Sequence, residues 1–138
     1  MNNPTLATSV ASRISELRAG KLSCSQSTLL GLADGLADSE YGNRFPDTAT
    51  LRKASAGFRG GIGCTYGEGT CGALSGAVMA LGFLSDNEGK ATLATQELFN
   101  AFQQEFGSVS CGKIRAVYGG THCTDCCLFA ARKALELF

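Results

Sequence analysis

Eighteen glycines and a succession of capping residues cut this 138-residue sequence into short segments, none of them patterned as a strand. A strand would show sustained period-two alternation between turn signals, and no stretch does. Helical spacing recurs instead. Behind Pro4, the residues Leu6, Val10, Ile14 and Leu17 fall three and four apart on one face, and Gly20 closes that segment. Ser23 with Gln26 predicts a capping box for a helix carrying Leu29, Leu30, Ala33 and Leu36. After a loop from Tyr41 to Pro46, Asp47 caps a helix running to about Phe58. A glycine-rich loop follows, from Gly57 through Gly60, Gly61 and Gly63 to Gly67 and Gly69. Thr70 is the expected cap of an apolar helix from Cys71 to Leu84, and Ser85 with Glu88 opens a helix with Leu93, Leu98, Phe102 and Phe106 that Gly107 ends. Ser110 caps a short helix from Cys111 to Tyr118, Gly119-Gly120 breaks it, and a last helix runs from about Cys123 to Phe138. The expected fold is all-α: a single-domain compact bundle of about six or seven short helices with a glycine-rich loop. The length fits one domain over residues 1–138, with a core that needs no staples.

Charge and hydropathy exclude several classes. Lys+Arg 12 against Asp+Glu 12 leaves no basic excess, so a nucleic-acid partner is not expected. The longest uncharged stretch, Gly69 to Ser85, is shorter than the ~20 residues of a membrane helix and is read as a buried core helix, with no membrane insertion. From Met1 to Gly20 no apolar leader core follows basic residues, because Arg13, Glu16 and Arg18 interrupt it, so a cytoplasmic location is expected.

Cysteine is the outlier of the composition. Seven is an odd number, so the thiols cannot all pair within one chain. In a reducing compartment such a set points to metal binding or catalysis rather than to disulfide staples. Their positions follow a pattern. Cys24 follows Ser23, Cys71 follows Thr70, Cys111 follows Ser110, and Cys123 lies two past Thr121. Each sits just behind a hydroxyl residue that can cap a helix, which would place four thiols in the first turns of four helices. Helix starts carry unpaired N–H groups and partial positive charge, which favour a thiolate and equally an anionic iron–sulfur cluster. In an up-and-down bundle Cys24, Cys71 and Cys111 open alternate helices at one end. Cys123 belongs at the far end, unless the short sixth helix and Gly119-Gly120 fold it back.

The cluster His122-Cys123-Thr124-Asp125-Cys126-Cys127 has C-x-x-C spacing, but no histidine follows it and no second C-x-x-C accompanies it. Covalent haem attachment and a four-cysteine zinc ribbon are therefore not indicated. Cys126 and Cys127 are read as equally suited to packing, and His122 as a solvated loop residue before a ligand. The run from Gly57 to Cys64 is neither a Walker loop nor a dinucleotide fingerprint. Its glycines permit close backbone approach to a cofactor or to another helix, with Gly61, Gly63 and Gly72 the candidate cofactor-approach positions and Cys64 a spare ligand. Gly72, Gly76 and Ala80 form a small-residue stripe suited to tight helix packing.

The segment Thr70-Cys71-Gly72-Ala73-Leu74-Ser75-Gly76-Ala77 contains Cys-Gly-Ala-x-x-Gly. With Cys24 before it and Cys111 and Cys123 after it, the chain resembles the C_GCAxxG_C_C family of redox-active proteins over nearly its whole length. The resemblance implies that Cys24, Cys71, Cys111 and Cys123 are the family's four cysteines, in a helical domain with a redox role. A similar domain accompanies haem and an iron–sulfur centre in split-Soret cytochromes; this sequence lacks their haem-attachment motif, so haem does not carry over.

The leading expectation is an iron–sulfur protein for electron transfer or redox sensing, with Cys24, Cys71, Cys111 and Cys123 as metal ligands. The second is a thiol–disulfide oxidoreductase in which Cys71 and Cys111 are catalytic, or Cys123 pairs with Cys126. The third is a zinc-binding or structural helical module. An electron-transfer partner is expected but not identified by the sequence, and a homodimer stays open.

Overall fold

The computed structural model describes residues 3–138. Seven α-helices fill them, and no strand forms among the described residues. Helix α1 spans Pro4–Ala19. It begins where Asn3 accepts hydrogen bonds from the N–H groups of Thr5 and Leu6, with Pro4 supplying the fixed φ of a first helical residue. Helix α2 is Cys24–Gly35, capped by Ser23, whose Oγ accepts from the Gln26 N–H at 3.3 Å. The expected box is only half made: the Gln26 amide donates to the Arg52 carbonyl instead. Helix α3, Thr48–Ser55, has the expected Asp47 cap but gives way at Ala56 to a 3-10 turn through Phe58.

Helix α4, Gly72–Leu84, is the centre of the molecule. Ala73, Leu74, Ala77, Ala80, Leu81 and Leu84 are all buried, which bears out the core-helix reading of this apolar run. No described helix is long and apolar enough to cross a membrane. Helices α2, α5 (Glu88–Phe106) and α7 (Cys123–Ala134) all pack on α4, and α7 also packs on α2 and α5.

Three expected helix ends differ. Helix α5 is capped by Asn87, whose Oδ1 accepts from the Lys90 N–H at 2.9 Å, while Ser85 ends α4. An Asx side chain nearer the helix outcompetes the serine. Thr70 does not cap α4; Cys71 itself occupies that position. Helix α7 is entered through a 3-10 turn, Gly120–His122, with no side-chain cap from Thr121, and it stops at Ala134 instead of Phe138.

Small residues let α1, α2 and α4 close on one another. A Cβ on Gly35 would stand 2.6 Å from Val10 Cγ2, one on Gly31 would collide with Ile14 Cγ1, and one on Gly76 would stand 2.6 Å from the Ser25 carbonyl oxygen. The small-residue stripe therefore serves packing, as read from the sequence, and it draws the start of α2 close to α4.

Candidate functional site

The glycine-rich loop closes on itself and then lies against the start of α6, Cys111–Tyr118. The Cys64 N–H donates to the Arg59 carbonyl at 2.7 Å and the Tyr66 N–H to the Gly60 carbonyl at 3.1 Å. Beyond them the chain pairs with the stretch before α6: the Cys71 N–H donates to Val109 O at 2.7 Å, and the Cys111 N–H to Gly69 O at 2.8 Å. These two hydrogen bonds, around the single antiparallel bridge between Thr70 and Ser110, fix Cys71 and Cys111 side by side. Two glycines make the approach possible. Gly61 has φ +84°, and a Cβ there would lie 3.3 Å from Cys111 Cβ; a side chain on Gly112 would strike the Tyr66 carbonyl.

The consequence is a cavity of about 150 Å³ into which five of the seven cysteines open: Cys24, Cys71, Cys111, Cys123 and Cys126. Cys123 reaches it because α6 is only eight residues long and Gly119, at φ +74°, turns the chain back into the 3-10 turn before α7. The four cysteines singled out from the sequence thus meet, and Cys126 joins them. Cys64 lies outside, exposed in a left-handed backbone conformation, and Cys127 is wholly buried, its thiol donating to the Cys24 carbonyl at 3.6 Å. Of the three glycines marked for cofactor approach, Gly72 lines the cavity; Gly61 and Gly63 do not, and Gly60 does. His122 lies elsewhere, stacked on Tyr118 with ring centroids 4.4 Å apart, in a cysteine-free groove of about 470 Å³ between α1, α5 and α7.

Three arginines, Arg18, Arg59 and Arg115, also line the cavity, and no carboxylate does. Sequence reading missed them. They lie on three separate segments, and nothing in their spacing announces that they meet. Cys126 was visible as part of C-x-x-C, but its place at the cavity depends on the angle at which α7 enters.

All seven cysteines are unbridged. Inside the cavity the thiols act on one another in pairs, and these are not the pairs tried from the sequence. Cys71 interacts with Cys126, and Cys24 with Cys123. The Cys126 contact lowers the Cys71 pKa against the opposing effect of burial, and the Ala73 and Leu74 N–H groups at the start of α4 lower it further, although neither closes a side-chain cap. The same contact, then burial, raises Cys126. Contact with Cys24, then burial, raises Cys123. Burial, then the neighbouring thiols, raises Cys111. For Cys24 the Cys123 contact lowers the pKa, but the Cys127 contact and burial together outweigh it and push the thiol up to about 12. Cys71 alone is lowered, first by Cys126 and only secondarily by the N–H groups at the start of α4.

A raised thiol pKa means that the folded chain holds a proton the unfolded chain releases. The stabilisation from Cys24 is complete below the ordinary thiol value of 9.0 and is lost as pH rises toward about 12. The reduced protein should therefore show a urea midpoint that falls steadily above pH 9, and Cys24→Ala should flatten that slope. Cys71 has the opposite sign: its contribution is present at high pH and lost as pH falls through its lowered folded value.

A family model described as "Putative redox-active protein (C_GCAxxG_C_C)" matches residues 22–137. No curated protein and no solved structure matches the chain.

Proposed function

This chain belongs to the C_GCAxxG_C_C family of redox-active proteins, and we propose that its cavity holds an iron–sulfur cluster through which it passes or senses electrons. The supporting observation is the lining itself: five thiols and three arginines around one small space, with no carboxylate among them. Thiols packed so closely oppose one another's ionisation, as the raised Cys111, Cys123 and Cys126 show. Bound iron would relieve that opposition, because the ligand is the thiolate. Arg18, Arg59 and Arg115 offset the remaining negative charge of a thiolate-held cluster.

Cys24, Cys71, Cys111 and Cys123 would hold the cluster. The bound cluster would supply one-electron chemistry at a potential tuned by burial and by hydrogen bonds to sulfur. The surrounding chain buries Cys71, and its contact with Cys126 lowers the thiol's pKa. Such a centre belongs in a reducing compartment and needs an electron-transfer partner.

Anaerobic purification and reconstitution, followed by iron and sulfide analysis, test the reading: visible absorbance with matched iron and sulfide is expected. A colourless chain that takes up neither would overturn it.

The Cys71–Cys126 contact supports a second reading, a reversible dithiol. Its two members are shifted in opposite directions, as a nucleophile and its proton-donating neighbour would be. A defined reduction potential in iron-free protein, lost in Cys126→Ser, would select it.

A further inference from the structure

The arginines of the cavity are not equivalent. Arg18 is half-buried and tied down, donating to the Leu22 carbonyl at 2.8 Å and to Thr124 Oγ1 at 3.3 Å. Arg59 and Arg115 are exposed, and the Arg115 guanidinium lies over the Tyr66 ring, 4.6 Å from its centroid. Every one of these acceptors is neutral. Among the described residues the ion pairs all involve other cations, so none of the three guanidinium charges is compensated by a carboxylate.

Helices α2, α6 and α7 begin with cysteines that open into the cavity, and α4 is capped by another, so the partial positive charges of four helix starts add to the arginines. The chain as a whole is neutral, which makes this a local concentration of charge and not a basic surface. The space is also small: about 150 Å³, against the roughly 300–1,000 Å³ of pockets that take drug-sized ligands.

We infer that this cavity binds a compact anion, an inorganic oxyanion or a short carboxylate, at Arg59 and Arg115 beside the sulfur atoms. The inference rests on the reading of the cavity as the redox centre, but it requires no cluster. Two exposed guanidinium groups that no carboxylate pairs among the described residues keep their charge available to a ligand, and the cavity wall has no carboxylate to repel it.

The test compares two thiol reagents of similar size and opposite character on the reduced, iron-free, full-length chain. Iodoacetate is an anion and iodoacetamide is neutral. Labelling of Cys71 and Cys126 by each is followed by peptide mass mapping, and the ratio of the two rates is normalised to that of a neutral model thiol. The fraction of thiolate cancels in this ratio, so it reports the field at the cavity and not the acidity of the sulfur. A normalised ratio of about 10 or more in favour of iodoacetate is expected at low salt. It should fall toward 1 in Arg59→Gln/Arg115→Gln, whose helical circular dichroism and iodoacetamide labelling of Cys64 serve as controls of folding.

Wild-type protein is then challenged with sulfate or acetate at constant ionic strength. Protection by sulfate assigns an oxyanion, and protection by acetate a carboxylate. A ratio unchanged by the double substitution, or protection by neither anion, overturns the proposal. A chain that never binds iron but shows the ratio loses the cluster alone; one that binds iron without the ratio loses the anion alone.

Discussion

Replacing Cys71 by serine should abolish iron uptake and reversible oxidation while leaving the helical fold at least as stable as before. The two halves of that expectation have different causes. Serine is not deprotonated near neutral pH, and its oxygen is a hard donor poorly suited to iron–sulfur ligation. The Cys126 thiol also loses its partner. Stability behaves otherwise because Cys71 is the N-cap of α4 and makes no side-chain cap hydrogen bond. A serine hydroxyl at that position can accept from the first turn, a contribution of about 0.5–2 kcal/mol that offsets burying a polar atom at a site only 6% exposed. The measurements are iron and sulfide per chain after reconstitution, and the urea midpoint of the iron-free protein. Cys127→Ser is the matched control. Its thiol points to the Cys24 carbonyl and not into the cavity, so iron uptake should persist. Iron retained in Cys71→Ser, or lost in Cys127→Ser, would show that the centre has been assigned to the wrong sulfurs.

Two alanine substitutions in α4 should act in opposite directions although the chemical change is the same. Gly76→Ala places a methyl 2.6 Å from the Ser25 carbonyl oxygen and 3.2 Å from Thr28 Cβ. The first of these is backbone, so relief requires α2 and α4 to separate. Overpacking of this kind costs about 1–3 kcal/mol, more than the ~0.5–1 kcal/mol gained by removing glycine from a helix. Gly82→Ala meets nothing within 4 Å and keeps only the gain. Urea unfolding of the two variants should bracket the wild type. Because α2 begins at Cys24, the Gly76 variant should also widen the cavity and speed alkylation of Cys24. Equal stability in the two variants would mean that α2 and α4 are not held at the distance described here.

Much of the helical map could be read from the sequence because its signals are local. The spacing of Leu6, Val10, Ile14 and Leu17 needs only the helix period. Asp47, Ser23 and Ser110 cap their helices through hydrogen bonds that span three residues. Where local signals compete, the sequence is ambiguous. Ser85 and Asn87 are both capping types, and only the path of the chain after Leu84 leaves Asn87 at the start of α5. Thr70 looked like a cap, yet the chain enters α4 one residue later, at Cys71, whose N–H is held by the Val109 carbonyl.

The site divides in the same way. Four cysteines at or near the starts of helices are a property of the sequence, because helix starts are. Their meeting is not, since Cys24 and Cys123 stand far apart in the chain and come together through glycine contacts between α1, α2 and α4 and through the turn at Gly119. The sequence also determined that the chain is neutral overall, because net charge is a sum over residues. Only the tertiary structure decided that Arg18, Arg59 and Arg115 share one small space with five sulfurs and no carboxylate. The physical reason is range: caps and helix periods act over a few neighbouring residues, whereas electrostatic potential depends on distances that the packed chain alone sets.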